Sequence, residues 1–333
     1  MAAAEPVTLK VLAKELGLNV STVSRVLNDP AGPDSKWASA QTTARIFALA
    51  RERGYTRNPH AASLRTARSN MVGVIVPRLQ DFVLATMYEG VDEAATEQGL
   101  FTVVANSLDK AETQRAKAEM LLERRADGLI FGDAHLTEPY LEELKGRGVP
   151  FALINRTCGE HLSVTCDDYA GGRLVAEHLI STGRTRFGVI AGDPTTSTSQ
   201  DRTRGFLDVM REKGINVLED RIIHGGFDAA AGQKAAIGLL AHPEKPEAIF
   251  AVNDFAAIGA LGVLQERGIR VPDDIALAGF NDTPLAAGVN LTTVRSPMHE
   301  IGRQGLQTLQ HLIGGGTVAS TKLAPTLIVR ASG

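Results

Sequence analysis

Cysteine is scarce in this chain: Cys158 and Cys166 are its only two in 333 residues, with no histidine cluster beside them, which argues against a disulfide framework or a thiolate metal centre. Both are expected as ordinary thiols. No apolar run reaches the ~18 residues that a membrane helix requires, so no membrane partner is expected. Residues 1–6 lack the basic start and apolar core of a secretory signal, and the expected location is the cytoplasm. Catalytic signatures are missing as well. There is no G-x-G-x-x-G after a strand, no Walker sequence, no G-x-S-x-G elbow and no H-E-x-x-H, and His299-Glu300 has no second histidine to complete a zinc pair. The expectation is a protein that is not an enzyme and carries no cofactor or metal.

Charge of one sign is also missing from the whole, with 35 Lys and Arg against 38 Asp and Glu, but the balance hides a division. Residues 1–68 carry ten bases and five acids, a net of +5, while the other 265 residues carry 25 bases and 33 acids, a net of −8. A basic head suits attraction to phosphates, and an acidic body discourages nucleic acid from wrapping elsewhere. The length exceeds one ordinary domain, and 44% apolar with 22% charged residues is the composition of a globular protein.

Within the head, Val7 to Asn28 reads as a helix-turn-helix. Thr8 is a natural N-cap, Ala13 is small where two helices must approach, and Gly17 supplies the tight turn. Leu12, Leu16, Leu18, Val23 and Val26 form the expected shared core. The second helix then starts near Asn19 or Val20 and turns Ser21, Thr22, Ser24 and Arg25 away from that core, as a reader of the DNA major groove requires. Two packed surface helices are the plainer alternative. A turn-rich loop, Asp29 to Asp34, follows, then a third helix capped by Ser39 and stopped by Gly54. Asn58-Pro59 opens a short helix reaching Leu64 that is marginal alone in water, and therefore either a plain linker or a segment that forms when bound.

From Met71 onward, apolar runs alternate with amphipathic stretches. Strands are expected at 72–76, 101–105, 128–131, 151–154, 187–191, 221–224, 248–252 and 275–278. Helices are expected at 85–97, 111–124, 170–181, 205–213, 229–240 and 256–267. This alternation argues for an α/β core of two doubly wound parallel-sheet subdomains dividing near Asp167, with a ligand cleft at the carboxyl ends of the strands.

These runs, in order, resemble the lactose repressor (LacI/GalR) family of bacterial transcriptional regulators. The resemblance rests on Val7 to Asn28, Gly54-Tyr55, Asn58 to Leu64, Met71 to Pro77, Ala126 to Ile130, Arg202 to Phe206, Ala251 to Asp254 and Gly279 to Asp282. It implies a helix-turn-helix head at 1–57, a hinge helix and linker at 58–69, and a periplasmic-binding-protein-like effector-binding and dimerisation core at 70–333. The N-subdomain would span about 70–167 and 296–321, and the C-subdomain about 168–295 and 322–333. It also implies a homodimer on a palindromic operator of double-stranded DNA. Carried over by motif position, Val20, Ser21 and Arg25 face base edges, while Thr8, Asn19, Thr22, Ser24 and Asn28 hold phosphates. Asn58 opens the hinge, and Leu64 is the wedge that enters the minor groove. Val20 could instead be core.

Departures from the family pattern include Gln41 to Ala44, which lack much of the third helix's usual charge, Asn281, where the family often has Asp, and two further places. The interval from Asn28 to Ser39 is about five residues longer than the family's and holds the chain's only tryptophan, Trp37. It is expected as a solvated loop, with Lys36 as an alternative phosphate contact. No heptad tail follows Leu327 to Gly333, so a dimer is expected rather than a tetramer.

A small-molecule effector that is a sugar, nucleoside or related metabolite needs forked polar groups and an aromatic face. Arg202, Phe227, Asn253, Asn281 and Asp282 supply such a set, with Asp81, Phe82 and Asn155 from the first half. Turn capping is the plainer role for each polar residue. The function implied is a ligand-responsive repressor of carbohydrate or nucleoside metabolism genes. A corepressor-dependent regulator uses the same parts, and a sugar-binding protein without operator function is the alternative from another class.

Overall fold

Residues 7–29, 31–55 and 68–333 are described by the computed structural model, and the chain divides into two units, Met1–Ala67 and Arg68–Gly333. Asn58, Leu64 and all of the expected hinge before Arg68 lie outside the described residues.

The described residues of the head build three α-helices from local signals. Thr8 accepts a hydrogen bond from the Val11 amide and starts α1, Leu9–Leu16, which ends where Gly17 adopts φ 67°. Asn19 caps α2, Val20–Asn28, through the Ser21 amide, and Ser39 caps α3, Ala40–Glu52, through the Thr42 amide. Leu12, Ala13, Val23, Val26, Leu27, Ile46 and Ala50 close the core, while Leu16 and Leu18, expected inside, pack half-buried around it. Truncating Leu12 or Ile46, both fully buried, would cost about 2–5 kcal/mol, a large fraction of what so small a core supplies. The Arg53 guanidinium donates to the Glu15 carboxylate and ties the end of α3 to α1.

The loop between α2 and α3 is largely exposed, as expected of a solvated connection, at Ala31, Pro33, Asp34, Lys36 and Trp37, but it is not irregular. It folds into a 3-10 turn, Gly32–Asp34, that packs against both helices and buries Ser35.

In the second unit the first sheet contains β1 (Met71–Val76), β2 (Phe101–Asn106), β3 (Gly128–Phe131), β4 (Phe151–Ile154), β5 (Ser163–Cys166) and β11 (Thr321–Leu323), in the order β11-β5-β4-β3-β1-β2. The second has β6 (Phe187–Gly192), β7 (Ile222–His224), β8 (Ala248–Ala251) and β9 (Ala276–Ala278), ordered β7-β6-β8-β9. Every pairing in both sheets is parallel. The central strands are buried on both faces, which is why they read as continuous apolar runs. β10 (Thr293–Arg295) and β12 (Thr326–Ile328) pair antiparallel as a separate ribbon. β11 reaches Leu323, past the crossing expected at 321/322.

The covering helices are α4 (Phe82–Glu97), α5 (Ala111–Glu123), α6 (Pro139–Gly146), α7 (Asp168–Ser181), α8 (Ser197–Glu212), α9 (Ala229–Ala241), α10 (Asp254–Glu266), α11 (Pro284–Gly288) and α12 (Met298–Ile313). α8 starts two turns before the expected Gly205, because Ser197 to Arg204 is polar and shows no apolar period, yet Thr198, Ser199 and Arg202 are buried. In both sheets the strand order reverses beside the first strand, between β1 and β3 and between β6 and β8. Loops beyond the carboxyl ends of these strands therefore splay apart and leave a crevice.

Candidate functional site

On α2, Val23, Val26 and Leu27 face inward, leaving Ser21, Arg25 and Asn28 exposed and Val20 38% exposed. The exposure of Val20 removes the reading of it as core. Thr22 and Ser24 are half-buried at the edge of this face. Thr8 and Asn19 spend side-chain oxygens on helix caps, so the Thr8 hydroxyl proton and the Asn19 amide protons remain for an anion at the helix starts. The Asn28 amide donates to the Ser24 carbonyl at 2.7 Å, so the two expected phosphate holders also brace one another.

The crevice in the second unit holds a cavity of about 450 Å³ whose lining includes Arg78, Asp81, Asp109, Arg156, Asp193, Phe227, Asp228 and Phe255. A smaller recess of about 30 Å³ shares Asp81, Arg156 and Phe227 and adds Asn155, Thr198, Arg202, Asn253 and Asn281. Nearly all of these residues lie just past a strand end. Asp81 follows β1, Asn155 and Arg156 follow β4, Asp193 follows β6, Phe227 follows β7 and Asn253 follows β8.

Electrostatics organise the recess. Arg202 is 3% exposed, donates from Nε to Asp168 at 2.7 Å and from Nη1 to the Val252 carbonyl at 2.7 Å, and lies 3.8 Å over the Phe280 ring. Burial pushes the Asp168 carboxyl up to about 6, against the pull of Arg202. Asp81 is likewise raised by burial while its carboxylate accepts from the Val83 amide and caps α4. Asn253 caps α10 with its oxygen and donates to the Phe227 carbonyl at 2.6 Å, so it both caps the helix and steadies the ring. Asn281, at φ 113°, keeps a buried Oδ1 with no hydrogen-bond partner among the described residues. A lone buried acceptor of this kind calls for a donor.

Two expected residues are absent from the cavity lining. Asp282 is consumed by ion pairs, with Arg295 at 2.7 Å and Arg330 at 2.6 Å, and lines neither cavity. Phe82 is not in the lining; it is 41% exposed and stacks on the lining residue Phe255, ring centroids 6.2 Å apart. Several lining residues were not expected, among them Arg78, Asp109, Arg156, Asp193, Thr198, Asp228 and Phe255. Arg156, 4% exposed, donates to Asp109 at 2.7 Å and stands 5.7 Å from the Phe227 ring. The signal for it was its place next to Asn155 at the end of an apolar run. No cluster of metal-ligating side chains occurs among the described residues.

A helix-turn-helix head carried by a core of two parallel sheets with a cavity at their strand ends defines a class, the one-chain transcriptional regulators that couple a DNA-binding head to a ligand-sensing body. Residues 176–333 match the family model of the periplasmic binding protein-like domain. The chain is 32% identical to the HTH-type transcriptional regulator DegA of Bacillus subtilis (strain 168), over 98% of this chain and 97% of that protein. It is 31% identical to the HTH-type transcriptional regulator GalS of Salmonella typhimurium (strain LT2), over 98% and 96%. Its fold matches the crystal structure of the lac repressor dimer bound to operator and the anti-inducer ONPF with a TM-score of 0.88 and 25% identity, covering 98% of this chain and 99% of that one. The chain belongs to the LacI/GalR family of transcriptional regulators. No helix among the described residues is long and apolar enough to cross a membrane.

Proposed function

We propose that this regulator acts in the cytoplasm as a homodimeric repressor on a palindromic operator, and that a small hydroxyl-bearing effector in the core cavity changes its operator affinity. Residues 1–57 serve as the DNA-binding head, 58–69 as the hinge and 70–333 as the core. The observation that carries this reading is the pairing, in one chain, of an outward α2 face holding Val20, Ser21 and Arg25 with a cavity of about 450 Å³ at parallel-strand ends. Ser21 and Arg25 read base edges, with Val20 against a thymine methyl, and Thr8, Asn19, Thr22, Ser24 and Asn28 hold phosphates. Asn58 and Leu64 belong to the hinge that enters the minor groove.

Effector chemistry follows from the lining. Asp81, Asp109, Asp193 and Asp228 outnumber Arg78 and Arg156, and Asp109 already occupies Arg156. A surplus of acceptors suits hydroxyl donors and disfavours a phosphorylated ligand. Phe227 offers a face to the C–H surface of a sugar ring, and Asn155, Arg202, Asn253 and Asn281 shape the recess beneath it. Ligand closure of the two subdomains changes the spacing of the paired hinges, a coupling of about 1–3 kcal/mol. The test takes a duplex selected by the protein from a randomised library and titrates it with and without each of a panel of sugars and nucleosides. A binding ligand shifts operator affinity, downward for an inducer and upward for a corepressor. Unchanged affinity with every ligand that binds the core refutes the switch.

A further inference from the structure

The turn between α2 and α3 brings Trp37 against the DNA-reading face. Asp29 accepts from the Ala31 amide at 3.1 Å, and Gly32 takes φ 55° to begin the 3-10 turn. Buried Ser35 accepts from the Trp37 amide at 3.3 Å. These contacts anchor the backbone on both sides of the turn, and the indole that they present lies 4.9 Å from the Arg25 guanidinium carbon. Trp37 is 48% exposed, a costly place for the largest side chain unless its ring has a task.

From this geometry we infer that Trp37 is a positioning residue for Arg25 and thereby sets base specificity, an inference that rests on the DNA-reading function proposed above. Arg25 makes no ion pair or hydrogen bond among the described residues, so the ring face is its partner. The distinction matters chemically. A carboxylate partner would hold the guanidinium by using its N–H groups, whereas a ring face holds it through the π cloud and leaves all five N–H donors in their fork for a guanine edge. An arginine otherwise free to sample many rotamers is thus presented to the groove already ordered, with no donor spent.

The experiment uses the full chain and the fact that Trp37 is the only tryptophan, so fluorescence excited at the red edge of the indole band, where the four tyrosines do not absorb, reports this ring alone. Without DNA, Arg25→Ala should shift the emission. Unchanged emission overturns the stacking. A duplex selected by wild-type protein from a randomised library, its single-base variants and a random-sequence duplex are then titrated with wild type, Trp37→Ala, Trp37→Phe, Arg25→Ala and the double variant. Trp37→Ala should weaken binding to the selected duplex by about two- to five-fold, the exposed cation–π range expressed as an equilibrium. It should flatten discrimination at the base pair that Arg25 reads and leave the random duplex unaffected. Trp37→Phe, which keeps an aromatic face, should restore most of the discrimination, and Trp37→Ala should add nothing once Arg25 is alanine. Equal losses on selected and random DNA, or a Trp37→Ala effect undiminished in the Arg25→Ala background, overturn the proposal in favour of a backbone contact or a folding role. If wild type selects no sequence at all, the DNA-reading function itself fails and the inference falls with it.

Discussion

Gly172→Ala in α7 sets two physical effects against each other. Alanine is about 1 kcal/mol better than glycine in a helix interior, so propensity alone predicts a more stable protein. Packing predicts the reverse. A Cβ on Gly172 would stand 2.1 Å from the Arg202 carbonyl oxygen of α8, where ordinary contact begins at 3.4 Å, so the helices must part by about 1.3 Å. The obstacle is backbone, which cannot swing aside. Separation also pulls apart the Asp168–Arg202 pair, because Asp168 opens α7 and Arg202 lies on α8, with 2.7 Å now between Nε and Oδ1. Overpacking costs about 1–3 kcal/mol, and disrupting a buried pair up to about 3–5 kcal/mol where its partner is left uncompensated. The net expectation is a loss of about 2–5 kcal/mol, out of a typical total of 5–15 kcal/mol. Urea unfolding followed by far-UV circular dichroism reads mainly the core, while Trp37 fluorescence reads the head. The core transition should move to lower urea with the Trp37 transition unchanged. A variant as stable as wild type, or more so, would falsify the packing argument.

Three further outcomes are expected. Phe227→Ala should weaken effector binding by calorimetry by about 1–3 kcal/mol, the scale of a lost aromatic contact plus its apolar area, and undiminished binding would remove the ring from the site. Burial raises the Asp254 carboxyl from 3.8 to about 6 against the pull of Thr293 and Thr283, so the folded chain keeps a proton that the unfolded chain has released. Its contribution is full below about pH 4 and lost as pH rises through about 6. Wild-type stability measured against Asp254→Asn should therefore fall between pH 4 and 7 by at most about 3 kcal/mol, and a rise would contradict the desolvation argument. Leu64→Ala should reduce specific operator binding and bending more than non-specific binding, and equal losses on both DNAs would count against a minor-groove wedge.

Where structure follows from neighbours in the chain, the sequence was legible. The caps Thr8, Asn19 and Ser39 set the starts of the head's helices, and Val72 to Val76 and Gly128 to Phe131, expected as strands from their short apolar runs, are buried strands. Short or mixed segments were not. β5 carries Ser163 and Thr165 yet is buried throughout, and α12 contains Gly302 and Gly305, whose absent side chains make room for the Met87 carbonyl and for Ile154. No local pattern distinguishes such a glycine from a helix breaker. The sites divided in the same way. Arg202, Asn253 and Phe227 could be named from motif order, whereas Arg156 came to the cavity through its pair with Asp109, and Asp282 left it through Arg295 and Arg330.

By itself the sequence determined the basic head, the helix-turn-helix and the alternation that makes two parallel sheets, because each is written in spacing and composition over short stretches, while the family came from a resemblance of motif runs in order along the whole chain. Only the tertiary structure decided which polar groups face a cavity and which are spent on one another, and where the lengthened loop folds. Arg25 and Trp37 are twelve positions apart with no periodicity connecting them, and it takes a 3-10 turn folded back against two helices to set one over the other. Pairings across such distances are fixed by packing, which no local pattern encodes.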